Sequence, residues 1–168
     1  MNYEIVDNFL SDEEFQDLKN FIIFSGNLEW YTRMGVSNKG NNDGFFLTHI
    51  FYNKFKPVSD KFEILFPLLR KINPLSLIRI KSNFYPTTPK IIHHDFHVDF
   101  LSHSDTPISC KGCLFYLNTN NGKTIFDDGT EIESVENRAL FFDPAIYHKS
   151  TTCTDDVVGR FNINFNYF

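Results

Sequence analysis

Residues 93–99 read His93-His94-Asp95-Phe96-His97-Val98-Asp99, three histidines and two aspartates within seven positions. Read with the period of two of a β-strand, positions 93, 95, 97 and 99 share one face. The opposite face then carries Ile92, His94, Phe96, Val98 and Phe100, apolar apart from one histidine. The polar row contains two copies of His-x-Asp, and His148 lies far downstream as a candidate third ligand. Two imidazoles and one carboxylate on one side of a metal leave positions open opposite. That set suits a non-haem ferrous iron that must also bind an acid and oxygen.

Outward from this row the pattern is strand-rich. From Leu75 onward, residues 76–85, 90–98, 112–119, 123–127, 130–133, 138–142 and 157–166 read as strands, and Asp127-Asp128-Gly129 is a tight-turn signal between two of them. The first part of the chain differs. Ser11-Asp12-Glu13-Glu14 has capping-box spacing, and Phe15, Leu18, Phe21 and Ile22 follow at helical spacing, so the pattern predicts an amphipathic helix over 11–24. Residues 28–33 and 45–52 read as strands, and 57–72 as helix divided or kinked at Pro67. The Gly- and Asn-rich stretch 34–44 is a loop, a candidate lid over the site or plain disorder. Helices first and many short antiparallel strands afterwards predict an α+β, mainly β chain. The expected architecture is a double-sheet jelly roll, or double-stranded β-helix, with N-terminal helices packed outside. No linker or repeat divides it, so one domain over 1–168 is the expectation.

Bulk properties narrow the function classes. The formal charge of −5 argues against broad attraction to nucleic acid or an acidic membrane, without excluding a local basic groove. No window approaches eighteen uninterrupted apolar residues, and Asp7, Asp12, Glu13 and Glu14 break any signal-peptide pattern, so a cytoplasmic location is expected. Three cysteines cannot all pair. Cys110 and Cys113 have Cys-x-x-Cys spacing but no second pair to complete a zinc site, and the reading adopted is the start of a strand.

The C-terminal half resembles the 2-oxoglutarate- and iron-dependent dioxygenases, in particular their prolyl 4-hydroxylase-like branch. The matching residues are His97-Val98-Asp99, Tyr116-Leu117-Asn118, Gly122-Lys123-Thr124-Ile125-Phe126, Asn137-Arg138-Ala139-Leu140-Phe141-Phe142, His148, and Arg160 twelve positions later. The opening Val6-Asp7-Asn8-Phe9-Leu10-Ser11-Asp12-Glu13-Glu14 is similar to the first strand and helix of that branch. The likeness covers 75–168 well and 3–24 loosely, in the manner of the small stand-alone members common in bacteriophage genomes. It implies Fe(II) held by His97, Asp99 and His148, with 2-oxoglutarate as co-substrate, O2 as oxidant and ascorbate as a further candidate cofactor. It implies Arg160 as the anchor of the far carboxylate of 2-oxoglutarate, where prolyl hydroxylases more often use lysine. An arginine fork is well shaped for that task. Thr124 and Tyr116 match positions that offer hydroxyls to the co-substrate. Asn83 and Tyr85 are similar to co-substrate contacts of the DNA-repair demethylases in the same superfamily. Asp99, as a retained carboxylate ligand, implies hydroxylation rather than halogenation.

Two readings stay open on the sequence. His93-His94-Asp95 and His97-Val98-Asp99 both satisfy His-x-Asp, and the loop beginning near Ser102 favours the second copy, since the metal pair of this family sits where its strand runs out into a loop. The losing pair could orient a ligand imidazole or face solvent. The functional rivals are a cupin-like metal protein without 2-oxoglutarate and a non-catalytic jelly-roll binding module. The substrate, peptide or small molecule, is not named by any motif, and neither is the oligomeric state.

Overall fold

The computed structural model describes residues 2–35, 44–100 and 110–168. The lid expectation for 34–44 and the loop after the histidine row fall mostly on residues outside that set. Strand β1 (Tyr3–Val6) leads to helix α1 (Asp12–Lys19), which continues as one π-helical stretch, Asn20–Phe24. Then come β2 (Tyr31–Met34), β3 (Phe45–Asn53), the short β4 (Lys56–Pro57), a 3-10 turn (Phe62–Leu65) and α2 (Phe66–Ile72). Pro67 sits in the first turn of α2, where a missing N–H costs nothing, so it starts this helix rather than kinking a longer one. The remaining strands are β5 (Leu77–Pro86), β6 (Lys111–Tyr116), β7 (Asn120–Phe126), β8 (Glu131–Ser134), β9 (Arg138–Phe142), β10 (His148–Ser150) and β11 (Gly159–Tyr167).

These strands form two antiparallel sheets. The large one runs β1-β9-β6-β11-β5-β3-β2, with β4 on β3; the small one runs β10-β7-β8. The mainly β jelly roll with N-terminal helices is therefore what the chain adopts. Alternation along β6 shows how the layers are assembled. Cys113 and Phe115 join the core against the helices, with Phe15, Leu18, Leu65 and Leu68, whereas Leu114 and Tyr116 join Phe126, Ile132 and Phe142 between the sheets. A strand buried on both faces reads as a nearly unbroken apolar run, which is why the strand expected over 112–119 is found, ending earlier at Tyr116. The expected turn forms at Gly129, whose φ is +88°, with Phe126 N–H donating to Thr130 O at 2.9 Å. Among the described residues no helix is long and apolar enough to cross a membrane.

One expected strand does not form. Residues 90–98 carry only two isolated bridges, His93 to Thr151 and His97 to His148. Between these bridges the histidine segment advances four residues while its partner advances three. An extra residue on one side is a bulge-like break, and it destroys the period of two. His93 and His97 therefore do not share a face.

The N-terminal segment is pinned by Asn137, a residue of the sequence match with a positive φ of 56°. Its side chain accepts from Leu10 N–H at 2.9 Å and donates to Leu10 O at 3.0 Å, and its own carbonyl accepts from Phe9 N–H. Asn137→Ala removes both side-chain bonds and leaves two buried backbone groups unpaired in a conformation alanine resists. It should lower unfolding stability by about 2–3 kcal/mol, read as a drop in urea midpoint at unchanged slope.

Candidate metal and diacid site

The site is built on two neighbouring strands of the large sheet. Along β5 the inward positions are Arg79, Lys81, Asn83 and Tyr85; along β11 they are Asn166, Asn164, Asn162 and Arg160, in register opposite them. The alternate residues of β11, Phe161, Ile163, Phe165 and Tyr167, go to the helix-side core. Every residue of β11 is buried. Its polar comb therefore faces a cavity between the sheets, not solvent.

At one end of the comb lies the metal-type cluster. The ligand atoms of His97, Asp99 and His148 all lie within 4.8 Å of one another, the one such group among the described residues. The bridge to β10 delivers it: His97 and His148 exchange backbone hydrogen bonds at 2.9 Å in both directions. Each imidazole has its Nδ1 against a backbone carbonyl, Ile146 O at 2.8 Å for His148 and Asp95 O at 3.3 Å for His97. With the Nδ1 proton so engaged, each Nε2 lone pair is free for a metal. Burial, and next the charge of His148, pushes the His97 imidazole down to about 4, so it is neutral at physiological pH. Asp99 is held from three sides: Asn166 Nδ2 at 2.8 Å, Asn164 Nδ2 at 3.2 Å and Arg79 Nη2 at 3.3 Å. Burial opposes ionisation of this carboxyl, but His148, Arg79, Lys81 and the Asn166 bond together hold it well below the usual carboxylate range.

At the other end is Arg160, fully buried. Its Nε donates to Ser134 Oγ at 2.7 Å, Nη2 to Thr124 Oγ1 at 2.9 Å and Nη1 to Thr151 O at 3.4 Å. The guanidinium also lies 5.6 Å from the Tyr85 ring centre and 5.7 Å from that of Tyr116. The Tyr116 hydroxyl is 2.9 Å from Thr124 Oγ1, and burial raises the Tyr85 and Tyr116 phenols, so both keep their protons. No carboxylate pairs with Arg160 among the described residues, although a buried cation is costly without one. The planar guanidinium fork has the shape to grip a carboxylate with two parallel hydrogen bonds.

Seven sequence-predicted residues, His97, Asp99, His148, Asn83, Tyr85, Thr124 and Arg160, line this one cavity, and Tyr116 stands behind Thr124. The other His-x-Asp copy lies outside the cluster: His93 is exposed, and the Asp95 backbone carbonyl lies 3.3 Å from His97 Nδ1. His94, predicted on an apolar face, is buried with its Nδ1 2.8 Å from Ser150 Oγ and its ring 5.2 Å from that of Tyr85. Cys110 and Cys113 are free, buried thiols outside the cluster. The sequence reading missed Arg79, Lys81, Asn162, Asn164 and Asn166. Their signal was the strict polar alternation in 79–85 and 160–166, which on sequence alone reads as the solvent face of an ordinary antiparallel strand.

No protein-family model matches the chain, and no curated protein matches it by sequence. Solved structures do. A 2OG-Fe(II) oxygenase family oxidoreductase from Burkholderia pseudomallei superposes with a TM-score of 0.72 at 11% identity, covering 98% of this chain and 84% of that one. The fold is that of the 2OG-Fe(II) oxygenases. A prolyl hydroxylase from Trichoplax adhaerens, solved with a hypoxia-inducible-factor peptide fragment, gives 0.70 at 14% identity, covering 99% and 83%. The viral collagen prolyl hydroxylase of Paramecium bursaria chlorella virus 1, solved with 2OG, gives 0.66 at 15% identity, covering 99% and 94%.

Two expectations follow from this geometry. A Cβ added to Gly122 would stand 2.7 Å from Arg160 Cδ and 2.9 Å from both Asn120 Oδ1 and Thr152 O. Gly122→Ala should therefore lower the melting temperature and displace the guanidinium, weakening binding of a diacid in calorimetry; unchanged values for both would show that the wall yields. His97 has a folded pKa of about 4 against 6.5 unfolded, so the unfolded chain binds more protons between them. The stability this contributes to the metal-free protein is whole above pH 6.5 and lost as pH falls towards 4. A melting-temperature profile should show that slope, and His97→Gln should flatten it.

Proposed function

We propose that this chain is a 2-oxoglutarate- and Fe(II)-dependent oxygenase, a hydroxylase, in which His97, Asp99 and His148 hold the metal and Arg160 anchors the co-substrate. The observation that carries this reading is the buried Arg160 guanidinium without a counter-charge, in the same cavity as a two-histidine, one-carboxylate cluster. Both parts fit the absent groups. Two nitrogens and one oxygen with an open side suit ferrous iron. A diacid with one end at a cationic metal and the other on Arg160 neutralises a charge that otherwise stays unmatched.

When bound, iron and 2-oxoglutarate supply the oxidising chemistry, in which decarboxylation of the co-substrate to succinate is coupled to oxidation of the substrate. The residues of the chain do the rest. Arg160 fixes the far carboxylate, Thr124 and Tyr116 offer hydroxyls beside it, and Asn83 and Tyr85 wall the same end. Asn164, Asn166 and Arg79 orient the Asp99 carboxylate, and the two backbone carbonyls fix the imidazoles. Leu114 and Phe142 give the cavity an apolar wall that limits water. The substrate is a peptide or a small molecule; the Trichoplax hydroxylase of the same fold, seen with a peptide fragment, supports the first. A cupin-like protein without co-substrate leaves Arg160 without a task, and so does a non-catalytic module.

The test is anaerobic calorimetry with metal-loaded protein, followed by a succinate assay with ferrous iron and oxygen. Wild type should bind 2-oxoglutarate and release succinate. His97→Ala and His148→Ala should lose metal, while Arg160→Lys should keep metal and bind 2-oxoglutarate about tenfold or more weakly. Metal-loaded wild type that does not bind 2-oxoglutarate would sink the proposal.

A further inference from the structure

Two lysines line the cavity beside Arg160: Lys149, whose ammonium lies over the Phe96 ring at 4.5 Å, and Lys81, whose charge favours an ionised Asp99 but which the oxygenase reading gives no ligand. Lys81 lines it from β5, two residues from Asn83 and in register with Asn164. Arg79, the next inward residue, has Asp99 and Asn166 as partners. Lys81 has no hydrogen bond or ion pair among the described residues, and its charge is close enough to bear on both His97 and Asp99. Lys81 is half-buried at the cavity wall, and an ammonium aimed into a pocket without a partner is a place for an anion that arrives later. That anion is not the co-substrate. On the reading above, the near carboxylate of 2-oxoglutarate faces the metal and the far one faces Arg160, so both of its charges are matched.

A second observation specifies the neighbour of this anion. Asn83 Oδ1 and Asn164 Oδ1 are buried without a hydrogen-bond donor, and they flank Lys81 along β5 and across to β11. The 2-oxoglutarate dianion has no N–H or O–H to give, so its arrival leaves both oxygens unsatisfied. A ligand that brings a carboxylate and an adjacent N–H satisfies the ammonium and at least one amide oxygen together.

Resting on the proposed oxygenase function, we infer that Lys81 selects the substrate: it takes a carboxylate that has an N–H beside it, as in a free α-amino acid or the C-terminal residue of a peptide. Lys81 is then a specificity residue, and the Asn164 and Asn83 side chains orient the same headgroup.

The experiment uses the full chain loaded anaerobically with ferrous iron and 2-oxoglutarate, whose charge-transfer absorption reports both. It is titrated with the free L-amino acids, with N-acetyl dipeptides that have a free C-terminus, and with the carboxamide of each. At least one acid should perturb the band, and its carboxamide should bind about tenfold to a hundredfold more weakly. Response to free amino acids or to the dipeptides tells the two sources apart. Lys81→Met should erase the preference for acid over amide, and Lys81→Arg should restore most of it. The inference is overturned if amides bind as well as acids, if no acid perturbs the band, or if Lys81→Met keeps the preference. It is also overturned if Lys81→Met weakens 2-oxoglutarate instead, because the lysine then serves the co-substrate. Absence of the band in wild type, by contrast, strikes the oxygenase reading itself.

Discussion

The desolvated guanidinium of Arg160 sets the terms for everything around it. A permanently charged group removed from water must be compensated, and here three hydrogen bonds and two aromatic faces do so only in part. Ser134 and Thr124 come from β8 and β7, and Thr151 directly follows β10, so all three strands of the small sheet bring a partner to one side chain. Gly122 has no side chain because Arg160 passes where its Cβ would be. What remains uncompensated is the net charge, and a ligand carboxylate is its natural complement.

From that point the polar comb of β5 and β11 leads to the metal-type cluster. The two strands share a register in which arginine faces tyrosine, asparagine faces asparagine, asparagine faces lysine and asparagine faces arginine. The comb thus changes along its length, from the uncompensated guanidinium of Arg160 to the asparagines that hold Asp99. Because its far faces form the aromatic core against α1 and α2, the comb cannot move without disturbing Phe161, Ile163 and Phe165. Positional precision at the site is inherited from packing behind it.

Much of this was legible in the chain. Strand 138–142 matches to the residue, and 76–85, 123–127 and 130–133 to within a few positions, because their apolar runs and flanking turns leave little choice. His148 and Arg160 are picked out by the resemblance to the 2-oxoglutarate dioxygenases, from their order after the His-x-Asp pair. The strand at 90–98 was not legible as it is. Its alternation was real, but a single extra residue between its two bridges to β10 exchanged the faces. Two lesser elements were blurred for similar reasons: the helix expected over 11–24 changes to π geometry at Asn20, and β10 is only three residues long.

By itself, then, the sequence determined which residue types were available: a doubled His-x-Asp, a distal histidine, a late arginine and a β-rich frame to carry them. Periodicity and turn chemistry act over short range, and they suffice for that. Which His-x-Asp copy meets His148, and whether an alternating polar strand faces water or a cavity, depended on pairing between segments about fifty residues apart. Local propensity carries no information on such pairing. The bridge of His97 to His148 and the burial of β11 on both faces decided those questions, and with them the placement of Lys81.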